Sequence, residues 1–153
     1  MAVATLTSTV FANAGAKQVH AGNVTVSGQY VSGATIHTVG DIIFLAKIPH
    51  GATIVEFAVD HSTTETALGI DYGMASGGSI AGGGADISQF ATALAKATII
   101  RSNLQRATGN PTQVVSVSDN SGVRFGIFGA KIASGSASTS LIINFSVTYR
   151  SDT

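Results

Sequence analysis

From about residue 19 onward, apolar and polar positions alternate along much of the chain, and β-branched side chains dominate the apolar set. Successive side chains of a strand point to opposite faces, so this period predicts strands with one face buried. Asn23 to Ser27 opens such a strand and Gly28 closes it; Tyr30-Val31 and Ala34 to Val39 continue the pattern, punctuated by Gly33 and Gly40. Asp41 to Ile48 is apolar on both parities, which predicts a strand buried on two faces. Pro49-His50-Gly51 breaks the run, and a second apolar strand follows from Ala52 to Asp60, with Val55, Phe57 and Val59 expected on one face and Glu56 and Asp60 on the other. Pro49 and Gly51 are the structural turn residues: proline fixes φ and lacks an N–H, and glycine accepts positive φ. Thr66 to Tyr72 predicts a further short strand.

The C-terminal segment is the clearest. Leu141, Ile143, Phe145, Val147 and Tyr149 share one parity, and Asn144, Ser146, Thr148 and Arg150 the other. Gln113 to Val117 and Val123 to Gly129 predict two more strands, joined by the turn residues Asp119-Asn120-Ser121-Gly122. Ile87 to Lys96 departs from the pattern: Ile87, Phe90 and Leu94 fit helical spacing behind a cap at Asp86, which predicts a short helix or an irregular loop. Gly77 to Gly84 reads as a loop. Roughly seven or more short strands separated by turns predict an all-β fold, an antiparallel, jelly-roll-like β-sandwich. It would span residues 19–153, with residues 1–18 as an extended N-terminal arm.

Composition sharpens this picture. Charged residues are only 10% of the 153, against about 25% in ordinary soluble domains. Exposed strand positions therefore carry hydroxyls and amides, a surface that repels its neighbours little and is cheap to desolvate. Eight basic and eight acidic residues cancel, and the basic ones are scattered, which predicts no nucleic-acid partner. Cysteine is absent, which excludes disulfides, thiolate chemistry and Cys-ligated zinc. The segment Met1 to Ala14 lacks a basic residue and has Thr and Ser within its apolar run, so it is not expected to act as a secretory signal. No stretch reaches the ~18 uninterrupted apolar residues of a membrane helix, and no membrane partner is expected.

Candidate chemistry is sparse. His20, His37, His50 and His61 form no recognised metal-ligand spacing. Asp60, His61, Glu65 and Asp71 could gather round one turn and take a hard cation, but they lack the dense oxygen pattern of a calcium loop, so a solvated loop is expected. No Gly-x-Ser-x-Gly elbow is present, and Glu56 and Glu65 are the only glutamates available for a carboxylate pair. The Gly77 to Gly84 loop lacks the Gly-Lys-Ser/Thr ending of a phosphate cradle. Neither catalytic residue, metal nor cofactor is expected.

One stretch carries a resemblance. Phe44-Leu45-Ala46-Lys47-Ile48-Pro49-His50-Gly51-Ala52, the apolar strand to Asp60, and then Leu68-Gly69-Ile70 before Gly73 resemble the small virion structural proteins of tailed bacteriophages, the capsid decoration or cement type. The resemblance implies a jelly-roll-like sandwich that self-associates as a dimer or trimer and docks on the major capsid protein, on the outer capsid surface of a virion made in the bacterial cytoplasm. It implies no catalytic residue. The uncharged arm, with Val3, Leu6, Val10 and Phe11, is the expected partner contact, because an extended segment can add to a neighbour's sheet edge. The competing reading is a β-sandwich adhesin for host glycans, but the chain has no Trp and only 7% aromatics for sugar stacking.

Overall fold

The computed structural model describes residues 5–8, 22–49, 51–63, 67–75, 91–95, 100–103, 112–113, 117–118, 124–135 and 140–150. Among them are eleven strands: β1 (Thr5–Thr7), β2 (Asn23–Val31), β3 (Ile42–Pro49), β4 (Thr53–Ser62), β5 (Gly69–Ala75), β6 (Ala91–Ala95), β7 (Ile100–Asn103), β8 (Thr112–Gln113), β9 (Val117–Ser118), β10 (Arg124–Ser134) and β11 (Ile142–Arg150). They form two sheets. A front sheet runs β2-β11-β4-β7, with β8 also on β4; a back sheet runs β1-β3-β10-β5-β6, with β9 also on β10. Consecutive strands β2, β3, β4 and β5 thus alternate between the layers. All pairings are antiparallel except β1 with β3.

The core lies between the sheets and joins both patterns predicted above. Ile143, Phe145, Val147 and Tyr149 of β11 face it, as do Ile43, Ala46, Ile48, Ile70, Tyr72, Phe128, Ala130 and Ile132 of the back sheet. Phe128 and Phe145 meet across the layers at a centroid distance of 6.2 Å. Burying side chains of this size stabilises by about 1.5–3 kcal/mol each. The strand predicted to be buried on two faces is so: Ile42 and Phe44, on the parity that points away from the core cluster, are 5% and 1% exposed.

Two bulges change which residues face the core. Between β3 and β10 the register jumps from Phe128↔Ala46 to Gly129↔Phe44, leaving Leu45 unopposed. Between β4 and β11 it jumps from Thr148↔Glu56 to Tyr149↔Ile54, leaving Val55 unopposed. A bulge inserts one residue and resets the parity beyond it. Hence Ile54, not Val55, shares the inner face with Phe57 and Val59; Ile54 is fully buried and Val55 half-buried.

Three other expectations need correction. Ala91–Ala95 is a strand, not a helix or loop, paired antiparallel with β5 from Gly69↔Ala95 to Tyr72↔Ala91. Pairing to an open sheet edge outweighs the helical propensity of an alanine-rich segment, which tertiary context readily overrides. The distortion shows at Ala93, whose φ is +47° and whose N–H donates to Asp71 Oδ1 at 2.7 Å. Ala34 to Val39 is a loop rather than a strand, because Gly33 takes φ +57° and Thr35 N–H donates to Ser32 O. The single strand predicted over Gln113 to Val117 is two short pieces on different sheets, β8 on β4 and β9 on β10. Gly77 to Gly84 lies outside the described residues.

Gly135 ends β10 at φ +94°, and a Cβ there would stand 2.7 Å from the Ala67 carbonyl oxygen, so only glycine lets β10 close against the chain entering β5.

Candidate functional site

The front sheet presents a flat polar surface. Residues of β2, β11 and β4 that point away from the core line up in rows by register: Gln29, Asn144 and Asp60 in one, Ser27, Ser146 and Ala58 in the next, Thr25, Thr148 and Glu56 in the third. Gln29 Nε2 donates to Asn144 Oδ1 at 2.7 Å, and the hydroxyls of Thr25 and Thr148 are bonded at 2.8 Å. The two taller rows are therefore tied across the strands, and the small residues between them form a trough. At its β4–β11 end is a shallow cavity of about 250 Å³, lined by Ala58, Val59, Asp60, Asn144, Phe145 and Ser146. None of the described outward residues on these three strands is aromatic.

The loop over residues 32–41 adjoins this surface and has an opposite character. Ile36 is 64% exposed, and Val39 and Val31 are 56%. The backbone beneath these exposed groups is fixed by hydrogen bonds. Here Gly40 N–H donates to Ile132 O, Ile132 N–H to Asp41 O, Ser32 N–H to Leu141 O and Thr38 N–H to Asp41 Oδ2. Between Ile36 and Val39, His37 turns inward, is fully buried, and meets the Tyr30 hydroxyl at 3.3 Å. Burial pushes the His37 imidazole below its usual pKa, against the pull of Asp41, and its Nδ1 has no hydrogen-bond partner among the described residues. The sequence signalled none of this, because the alternation over Ala34 to Val39 resembled a strand.

A second buried histidine–tyrosine pair ties the two layers. His61 is 2% exposed and its Nδ1 meets the Tyr72 hydroxyl at 3.2 Å. Burial lowers the His61 pKa while the Leu68 backbone and Asp60 oppose it; burial, with Asp60, drives the Tyr72 phenol far above its ordinary range. The expectation that Asp60, His61, Glu65 and Asp71 share one solvated turn is corrected for three of them: Asp60 and His61 lie in β4 on opposite faces, and Asp71 lies in β5 with its carboxylate on Ala93. Alternation within a strand separates neighbours that a loop could have gathered. Among the described residues no group of three His, Asp or Glu side chains could hold a metal ion. Glu65, His20 and His50 lie outside them.

Pro49, Gly51 and residues 5–8 of the arm are among the described residues. Ala52 N–H donates to Pro49 O at 3.2 Å, and Gly51 takes φ +78°. Leu6 lies in β1 opposite Ile43 of the chain's own back sheet, and Ser8 anchors the segment through its N–H to Phe44 O and its hydroxyl to Leu45 O. Val3, Val10 and Phe11 lie outside the described residues.

No family model matches the sequence, and no curated protein matches it. The structure does find likeness. It superposes on a chain from the capsid of Ralstonia phage GP4 with a TM-score of 0.60, covering 98% of this chain and 99% of that one at 18% identity. The two share a fold. A chain from the cyanophage Pam1 capsid asymmetric unit aligns over 90% of this chain and 94% of that one, at 14% identity and a TM-score of 0.40. The shared fold is the all-β, two-sheet arrangement expected from the alternation of the sequence, running through nearly the whole of both aligned chains.

Proposed function

We propose that the chain is a structural protein of a phage virion that decorates the outer capsid surface, holding to the major capsid protein and to copies of itself by non-covalent contact. The observation that carries this reading is the end-to-end likeness to a chain of the GP4 capsid. The physical character of the surface supports it. A charge-poor front face gains contact area without stripping water from many ions, and a backbone-pinned loop offers Ile36 and Val39 without a large ordering cost. The strand order β2-β11-β4-β7 over β3-β10-β5-β6 supports a jelly-roll winding. The work is contact, with no reacting group. The adhesin reading gains no support from the described front face, which offers no ring for a sugar to stack on.

The test is twofold. Virions of the phage that encodes the chain are purified and their proteins identified by mass spectrometry, and purified chain is sedimented with shells assembled from the major capsid protein alone. Presence in the virion and co-sedimentation are expected. A chain missing from the virion, or one that stays in the supernatant at every shell concentration, overturns the proposal.

A further inference from the structure

Among the described residues the two sheet orders end in four strands, with the two-residue β8 and β9 lying off them, and three of the four are poor templates for a further strand. β1 is three residues long. β6 is five residues, broken by the positive φ of Ala93 and by a register shift against β5. β7 is four residues and carries Arg101. Short length, irregularity and charge are the ordinary means of keeping a sheet edge from pairing.

β2 has none of them. It is nine residues, Asn-Val-Thr-Val-Ser-Gly-Gln-Tyr-Val, without a charge or a proline. It pairs with β11 in nine consecutive positions without a shift, so it is straight enough to be copied. Positive-φ glycines, Gly22 and Gly33, turn the chain away at both ends, and nothing lies within 4 Å of where either Cβ would be. Among the described residues no strand pairs with its outer edge.

We infer that the β2 edge pairs antiparallel with the β2 edge of a second copy, about a two-fold axis at Ser27. In that register Ser27 meets its own symmetry mate, Thr25 meets Gln29, Val24 meets Tyr30 and Val26 meets Gly28. Polar positions stay on the outer face and apolar ones on the inner, so both sandwiches continue through the junction. Neutrality makes self-pairing admissible, because no like charges are brought opposite each other. The pairing is isologous and uses up both edges, so it closes at the dimer, whereas β2 on β7 of the next copy is heterologous and closes only where the rotation makes a ring. The joined front sheet doubles the length of the Ser27–Ser146–Ala58 trough row. This inference deepens the proposed function by naming how copies meet, and it rests on reading the chain as an assembling protein.

Sedimentation equilibrium of the full chain, with cysteine cross-linking, tests it. The sequence has no cysteine, so a single introduced thiol reports only its own neighbours. Ser27→Cys is expected to give a disulfide dimer on mild oxidation, and Val31→Cys, at the strand end, at least tenfold less. Ser27→Lys is expected to weaken dimerisation at least tenfold, while Ser62→Lys, exposed on β4 of the same sheet, leaves it unchanged; circular dichroism checks that both variants are folded. A chain that is monomeric at all concentrations, or that cross-links equally through both positions, overturns the inference. A monomer that still binds shells overturns the edge pairing alone. A Ser27-linked dimer that ignores shells upholds the pairing and overturns the capsid reading.

Discussion

In the back sheet, Phe44, Phe125 and Ile127 point away from the core cluster and are nonetheless 1%, 3% and 1% exposed. In the front sheet, the residues pointing the corresponding way, Thr25, Ser27, Gln29, Asn144 and Arg150, are exposed. Both sheets supply one inner face to a common core, so the difference lies wholly in what the outer faces do. At Ile42, Phe44, Phe125 and Ile127 the back sheet is apolar on its outward parity as well, and these positions are withdrawn from water. The front sheet is polar over most of its outward parity, Val31 and Ile142 apart, and on the proposed function that parity is free to be chosen for contact. Even the cations follow this division: Lys47 on the back sheet lies over the Phe125 ring at 5.3 Å, while Arg150 on the front sheet is exposed. On the proposed function, a scaffold layer and a display layer thus arise from the parity of hydrophobic residues in β3 and β10 against that in β2 and β11.

The strongest way to break this comparison is to truncate matching outward residues. Ile127→Ala removes apolar volume from a position that is 1% exposed, and is expected to destabilise by about 2–5 kcal/mol, as at any core site. Ser146→Ala, outward on the front sheet, is expected to change stability by no more than about 0.5 kcal/mol. Urea unfolding of the two variants measures both. A cost below about 1 kcal/mol for Ile127→Ala means that the outer face of the back sheet is not a second buried surface.

The same division explains what could be read from the sequence. β11 and β3 were legible, because their one-sided and two-sided apolar patterns follow directly from the period of a strand. Ala91–Ala95 was not, because its strand state is imposed by the β5 edge and by the Asp71 carboxylate, neither of which is local. The parity of Val55 and Ile54 was misassigned because a bulge is a property of two paired strands, and one strand read alone does not reveal it. The display surface was legible as composition, in its hydroxyls and low charge, but not as geometry. Rows such as Gln29–Asn144–Asp60 join residues far apart in the chain, and the pinned loop around His37 depends on bonds to Ile132 and Leu141.

A weaker but more selective break uses pH, since both buried histidines stem from the front sheet or the loop that leaves it. Tyr30 and His61 flank Ile143 in one inner row. The groups facing His37 are the Tyr30 hydroxyl and Asp41; those facing His61 are the Tyr72 hydroxyl, Asp60 and the Leu68 backbone. Each folded pKa is lowered below the ordinary value of 6.5, so the unfolded chain binds the proton more readily. The stabilisation is complete above about pH 6.5 and falls as pH drops from there towards the folded values, by up to about 1.4 kcal/mol per pH unit for each histidine. Urea unfolding between pH 7.5 and 5 is expected to show this acid slope, and His61→Gln to reduce it by about one proton. A stability that is flat over this range would show that neither imidazole is held neutral by burial.

The smallest expected effect sharpens the comparison furthest. The Gln29–Asn144 bond spans two exposed side chains on the display face, so water competes for both partners. A double-mutant cycle with Gln29→Ala and Asn144→Ala is expected to give a coupling of only about 0.2–1 kcal/mol in the isolated chain. Small coupling is what a contact surface needs, since groups weakly committed to each other exchange partners at little cost when another surface arrives. The same four proteins of the cycle, sedimented with capsid shells, are therefore expected to differ in shell binding by more than they differ in stability. Equal binding by all four would place the contact elsewhere, with the Ile36 and Val39 loop next to be examined by Ile36→Ser and Val39→Ser. A coupling above about 2 kcal/mol would instead make the pair part of the scaffold, and the division between the sheets would not hold at that row.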